Sequence, residues 1–166
     1  MKASANKVAR KLRMSSSGFT LIELMVTIAV LAIIISIAAP NIIAQLAQNQ
    51  VKSTSTIVQT SIARAKSESA VNRNTIIWRY DDTTNSISLV DNSTTLTSYT
   101  LSSNSSLTFN PATLTTFTIS KEGNITTPTG AAVNLVIDIG DTRAGATTQR
   151  VRVNTKRAFE CSGTNC

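Results

Sequence analysis

Glu23 sits inside residues 19–39, FTLIELMVTIAVLAIIISIAA, a run that is otherwise uncharged and nearly all apolar. An ionised carboxylate placed in lipid costs a few kcal/mol on insertion scales, so a partner charge or a functional reason is the default expectation. Four other groups have chemistry to weigh. Cys161 and Cys166 bracket Ser-Gly-Thr-Asn near the C-terminus and can close a short disulfide loop. Asp81-Asp82 has the donor types of a cation or catalytic pair, but adjacent acids followed by Thr-Thr-Asn fit a hairpin turn better. Trp78 and Tyr80 alternate onto one face of a strand, where core packing competes with ligand stacking. Arg150 and Arg152 alternate the same way, with Lys156 in phase if that strand continues, and Arg143 and Arg157 extend them into a cationic strip.

Composition narrows the chemistry. The 166 residues contain no histidine, which removes every triad or zinc site that needs one. No Gly-rich phosphate loop is present, so ATP-driven work must come from elsewhere. Neither a cofactor nor an enzymatic activity is expected. Charged residues make up 15% and aromatics 4%, while serine and threonine supply about a quarter of the chain, a mix suited to a Thr-rich β-domain outside the cytoplasm. The net charge of +7 overstates the basic surface, because Lys2, Lys7, Arg10, Lys11 and Arg13 all precede the apolar run.

The apolar run must be positioned by a membrane. As a helix, residues 19–39 span roughly 32 Å, about one hydrocarbon core. The cations before it, against Lys52 alone in the stretch that follows, orient the N-terminus to the cytoplasm and export the rest. A secretory signal cut after Ser36-Ile37-Ala38 is the plain alternative, yet its apolar region is shorter and an internal acid such as Glu23 is uncommon there.

Ser17-Gly18-Phe19-Thr20-Leu21-Ile22-Glu23-Leu24 resembles the class III leader junction of type IV pilins and type II secretion pseudopilins. The resemblance implies a cleaved leader at 1–18, cutting between Gly18 and Phe19 by a prepilin peptidase, and N-methylation of Phe19. It also implies that Glu23 pairs with the terminal amine of a neighbouring subunit during assembly, and that Pro40 matches a proline that often follows the apolar run. Implied partners are other minor and major pilins or pseudopilins, the peptidase, an inner-membrane assembly platform, and membrane lipid before assembly. The physical argument agrees, since the amine created at Phe19 lies one helical turn from Glu23.

Pro40 cannot donate to the carbonyl of Ser36, so the helix should bend or loosen there. Beyond it Ile43, Leu46, Ala47, Val51, Thr54, Ile57, Val58, Ile62 and Ala65 mark one face of an amphipathic helix over 40–71. From residue 72 to 166 the period becomes two, predicting strands at 76–80, 86–90, 96–101, 117–120, 133–139 and 149–154. The expected fold is α+β and pilin-like: a long N-terminal helix, membrane half plus amphipathic half, packed on an antiparallel sheet domain. Its order resembles the pseudopilin H and FimT/FimU minor-pilin group. In the exported compartment Cys161 and Cys166 should oxidise to each other, contributing roughly 2 kcal/mol by chain entropy.

The cationic strip of Arg143, Arg150, Arg152, Lys156 and Arg157 is either a solvated edge that discourages aggregation or a DNA-binding surface. DNA-capturing FimT-type pilins carry a glycine-arginine motif with a second arginine two positions on. Here that place reads Lys156-Arg157-Ala158-Phe159, which aligns Arg157 without the glycine or the second arginine. The reading is a minor pilin, a structural or priming subunit of a type IV pilus. An H-type pseudopilin of type II secretion and a DNA-binding minor pilin for natural transformation are the alternatives. Its expected location is the bacterial inner membrane, single-pass with the globular domain periplasmic, and then the filament.

Overall fold

The computed structural model describes residues 18–143 and 145–161. The expected leader up to Ser17 and the C-terminal Cys166 lie outside the described residues. The chain divides into two compact units between Ala38 and Ala39.

One helix, α1, runs Leu21–Asn72 with Pro40 inside it. In the second unit its buried face is Ala47, Val51, Thr54, Ser55, Val58, Ser61, Ile62, Ala65 and Ser69, recurring every three or four residues as a one-sided helix must. The expected stripe holds from Ala47 onward. Ile43 and Leu46 depart from it, being 47% and 53% exposed, because they sit in the turns just after Pro40, before the helix reaches the sheet core. Serines on the inward face were not anticipated. Ser61 and Ser69 satisfy their hydroxyls by donating to the carbonyls of Val58 and Lys66 at 2.7 and 2.8 Å, so burial leaves no orphan. The helix stops where Arg73 takes a φ of 55°, the left-handed conformation that ends many helices.

Among the described residues nine strands follow: β1 Ile76–Asp81, β2 Ser86–Asp91, β3 Thr94–Thr100, β4 Ser105–Asn110, β5 Thr116–Ile119, β6 Ile125–Thr126, β7 Asn134–Asp141, β8 Gln149–Asn154 and β9 Ala158–Cys161. A single sheet was the simplest expectation; two form instead, both antiparallel, ordered β3-β2-β1-β5-β6 and β4-β7-β8-β9. The six expected strands are all present, and β4, β6 and β9 are additional. Strand β4 begins in a Ser-rich stretch between two expected strands, and Ser105 pairs across to Asp141 rather than reversing the chain. The β1–β2 turn forms where the paired acids suggested, with Asp81 Oδ1 accepting the Thr83 N–H at 2.9 Å.

An aromatic cluster joins the sheets under the helix. Trp78 of β1 stacks on Phe117 of β5, ring centroids 4.6 Å apart, and meets Phe109 of β4 edge-on at 6.5 Å. Tyr80 lies 5.3 Å from Phe109. Trp78 and Tyr80 are therefore core residues of one strand face, as alternation requires. The indole N–H of Trp78 donates to Ser61 Oγ at 2.8 Å, and Thr54 Oγ1 lies 2.9 Å from Ser105 Oγ, fixing the height of the helix against both sheets.

Candidate functional site

The helix start is built from sequence-local chemistry. Thr20 acts as the N-cap: its Oγ1 accepts the Glu23 N–H and its carbonyl accepts the Leu24 N–H, both at 3.2 Å. Thr20-Leu21-Ile22-Glu23 thus has the Thr-x-x-Glu form of a capping box, and Glu23 lies in the first turn, where the helix dipole favours an acid. Phe19 is 80% exposed, and the large apolar residues from Leu21 to Ile37 are all more than half exposed. Within α1 an 18-residue window reaches a mean hydropathy of 2.7 with none of it buried, so this helix is long and apolar enough to cross a membrane. Gly18 is described and precedes the helix; Pro40 lies within it, without an N–H for the carbonyl of Ser36.

Comparison with known proteins bears on this segment and on the domain beyond it. The prokaryotic N-terminal methylation motif matches residues 13–39. The fold is similar to the type IV minor pilin FimU of Pseudomonas aeruginosa, with a TM-score of 0.57 at 12% identity over 69% of this chain and 90% of that one. The chain carries a prepilin-type methylation motif on a pilin fold. A further likeness is to the minor pseudopilin EpsH of the Vibrio cholerae type 2 secretion system, TM-score 0.49 at 13% identity over 68% of this chain and 97% of that one. A sequence search of curated proteins finds no match. In the prepilin-type motif, Gly18, Phe19 and Glu23 occupy one exposed end of α1.

The cationic strip is not continuous. Arg143 pairs with Asp141 through two side-chain bonds at 2.8 and 2.6 Å, which shield the Asp141 carboxylate from solvent although the residue is only half-buried. Those hydrogen bonds hold the Asp141 carboxyl below its ordinary value. Arg150 on β8 lies opposite Asp138 on β7 and forms an ion pair with it at 2.5 Å. Arg152 Nη2 donates to Asn134 Oδ1 at 3.1 Å. Strand β8 ends at Asn154, so Lys156 lies in the β8–β9 turn and does not continue the strand. There Asn154 Oδ1 accepts the N–H of both Lys156 and Arg157, at 3.0 and 2.9 Å.

A compact group forms around that turn, including one residue of α1 outside the predicted cationic strip. Lys66 of α1 donates to the carbonyl oxygen of Lys156. Burial, followed by the nearby Lys156 ammonium, holds the Lys66 amine below its usual range. Lys156 Nζ reaches Asn124 Oδ1 at 2.8 Å, and the Arg157 guanidinium lies 4.8 Å from the Phe159 ring centroid, within cation–π range. Only the turn geometry could have revealed Lys66, which is ninety positions from its bonding partner. Cys161 is disulfide-bonded, and Cys166, the chain's other cysteine, lies outside the described residues.

A second concavity opens between the β1–β2 turn and the start of β4. It has a volume of about 550 Å³ and is lined by Tyr80, Asp82, Asn85, Thr100, Ser103 and Leu107, among others. The Tyr80 hydroxyl donates to Asn85 Oδ1 at 2.9 Å. Burial first, then the charge of Asp82, pushes it up to about 12.

Proposed function

We propose that this chain is a minor pilin, a structural or priming subunit of a type IV pilus, held in the inner membrane before assembly. The observation that carries the reading is an exposed apolar helix opening at a capped Phe19–Glu23 turn, within a methylation motif and joined to a pilin fold. Peptidase cutting after Gly18 leaves a cationic amine on Phe19. In lipid that amine and Glu23 compensate each other within the subunit.

In a bundle of apolar helices, the Glu23 carboxylate of one subunit meets the Phe19 ammonium of its neighbour. The pair gains its importance from the several kcal/mol lost when either charge is buried alone, so it acts chiefly on registry. Pro40 gives the helix a place to bend between its membrane and exported parts. Neighbouring pilins, the peptidase and an inner-membrane platform are the partners.

Intact mass and N-terminal sequencing of the mature chain test this reading. An N-methylated Phe19 terminus is expected, and any other start refutes it. Glu23→Ala should leave cutting intact while removing the subunit from sheared filaments. Deletion of the protein should abolish twitching motility and leave protein secretion unchanged; the reverse pattern assigns the chain to a type II secretion pseudopilus.

A further inference from the structure

The cations around the β8–β9 turn differ from Arg143 and Arg150 in having no acid beside them. Among the described residues, no carboxylate lies within ion-pair distance of Lys66, Lys156 or Arg157. Their partners are a backbone carbonyl, an amide oxygen and an aromatic ring. Lys66 and Arg157 border a notch of about 140 Å³ with Ile62, Ala63 and Ala158 as its apolar walls, room for one or two small anionic groups. Like charges crowded against low-dielectric walls attract an anion more strongly than the same charges spread in water.

The same unit carries a complementary acidic feature nearer the middle of its helix. Asp81 and Asp82 are exposed on the β1–β2 turn, and neither takes part in an ion pair among the described residues. The turn is held from within: the Thr83 N–H donates to Asp81, and the Tyr80 hydroxyl donates to Asn85. Asn85 in this turn donates to the Ser105 carbonyl, and Ser105 Oγ meets Thr54 of α1, so the acidic turn lies level with Thr54. The cationic notch lies level with Lys66. At 1.5 Å per residue those helix positions are about 18 Å apart.

Opposite charges set about 18 Å apart along one unit suit a head-to-tail contact, which generates an open helical assembly when its rotation does not close. We propose that the Lys66–Lys156–Arg157 notch receives the Asp81–Asp82 turn of a second copy of this chain. The inference rests on the filament reading above, and it assigns the exported domain its own subunit-to-subunit contact beside the helix bundle. A nucleic-acid backbone fits less well, because partly exposed Asp138 already pairs with Arg150 of the same strip.

Cross-linking of the full chain in the membranes of the bacterium that makes it provides the test. Ala63→Cys borders the notch and Thr83→Cys lies in the acidic turn; both positions are exposed, and all five charges remain intact. Oxidation should give an oligomer ladder when both cysteines are present and none with either alone. Adding Lys156→Glu and Arg157→Glu should reduce the ladder at least tenfold, and further adding Asp81→Lys and Asp82→Lys should restore it. A ladder indifferent to these reversals overturns the proposal, as does a dimer from either single cysteine, which would indicate an isologous contact. Absence of the ladder in a chain that begins at Phe19 and is recovered in sheared filaments overturns the docking alone. A chain never cut at Phe19 instead sinks the filament reading. Loss of duplex-DNA binding by the purified mature chain on Lys156→Glu and Arg157→Glu, with no ladder, makes the notch a phosphate site and also overturns the proposal.

Discussion

Substituting Ser61 by alanine removes the acceptor of the Trp78 indole N–H, and both residues are completely buried. The indole then has a donor with no water to receive it, a loss of about 1–3 kcal/mol. Alanine recovers about 0.5 kcal/mol through its higher helix propensity, leaving a net destabilisation of about 0.5–2.5 kcal/mol. Trp78→Phe supplies the control, because it removes the N–H along with some packing. In that background the Ser61 hydroxyl still donates to Val58, so Ser61→Ala should be close to neutral. The cycle should therefore give a coupling of about 1–2 kcal/mol, within the usual range for residues in contact. Urea unfolding of the mature chain in detergent, followed by far-UV circular dichroism, measures all four species, since the single tryptophan is lost from two of them. Equal costs of Ser61→Ala in both backgrounds would refute the orphaned-donor argument.

Other positions give separate tests. Gly145 has a φ of +85°, and an added Cβ would lie 2.6 Å from Ala44 Cβ and 3.3 Å from its Cα, so Gly145→Ala should destabilise by about 1–3 kcal/mol in the same unfolding assay. Arg73→Gly relieves the left-handed residue at the end of α1 and should raise stability by about 0.5–1 kcal/mol in that assay. Tyr80 ionises in the folded chain only near about 12, against an ordinary value of 10.0. Its contribution to stability is present below the ordinary value and is lost as pH rises through that window. Alkaline unfolding midpoints of Tyr80→Phe should accordingly show a shallower fall over that range than those of the parent.

Much of the secondary structure was legible because its causes are local. The stripe from Ala47 through Ala65 follows helical spacing, and the alternation of Trp78 with Tyr80 and of Val151 with Val153 follows strand spacing. Strands β6 and β9 were less legible: one has two residues, and the other follows directly from a tight turn. Strand β4 was hidden because serine serves turns and sheets alike, and only its partner β7 decides between them. The cationic strip failed as a unit for the same reason. Its residue types were plain, but cross-strand neighbours paired Arg150 with Asp138, while a loop folded Arg143 back onto Asp141.

By itself the sequence determined the prepilin-type motif, the apolar span and the buried face of the helix from Ala47 onward. Each depends on residues within a turn or two of one another, where spacing alone sets direction. Tertiary structure decided the division into two sheets, the Ser61–Trp78 tie and the meeting of Lys66 with the β8–β9 turn. Those contacts join residues far apart along the chain, and no local periodicity encodes which distant strands become neighbours.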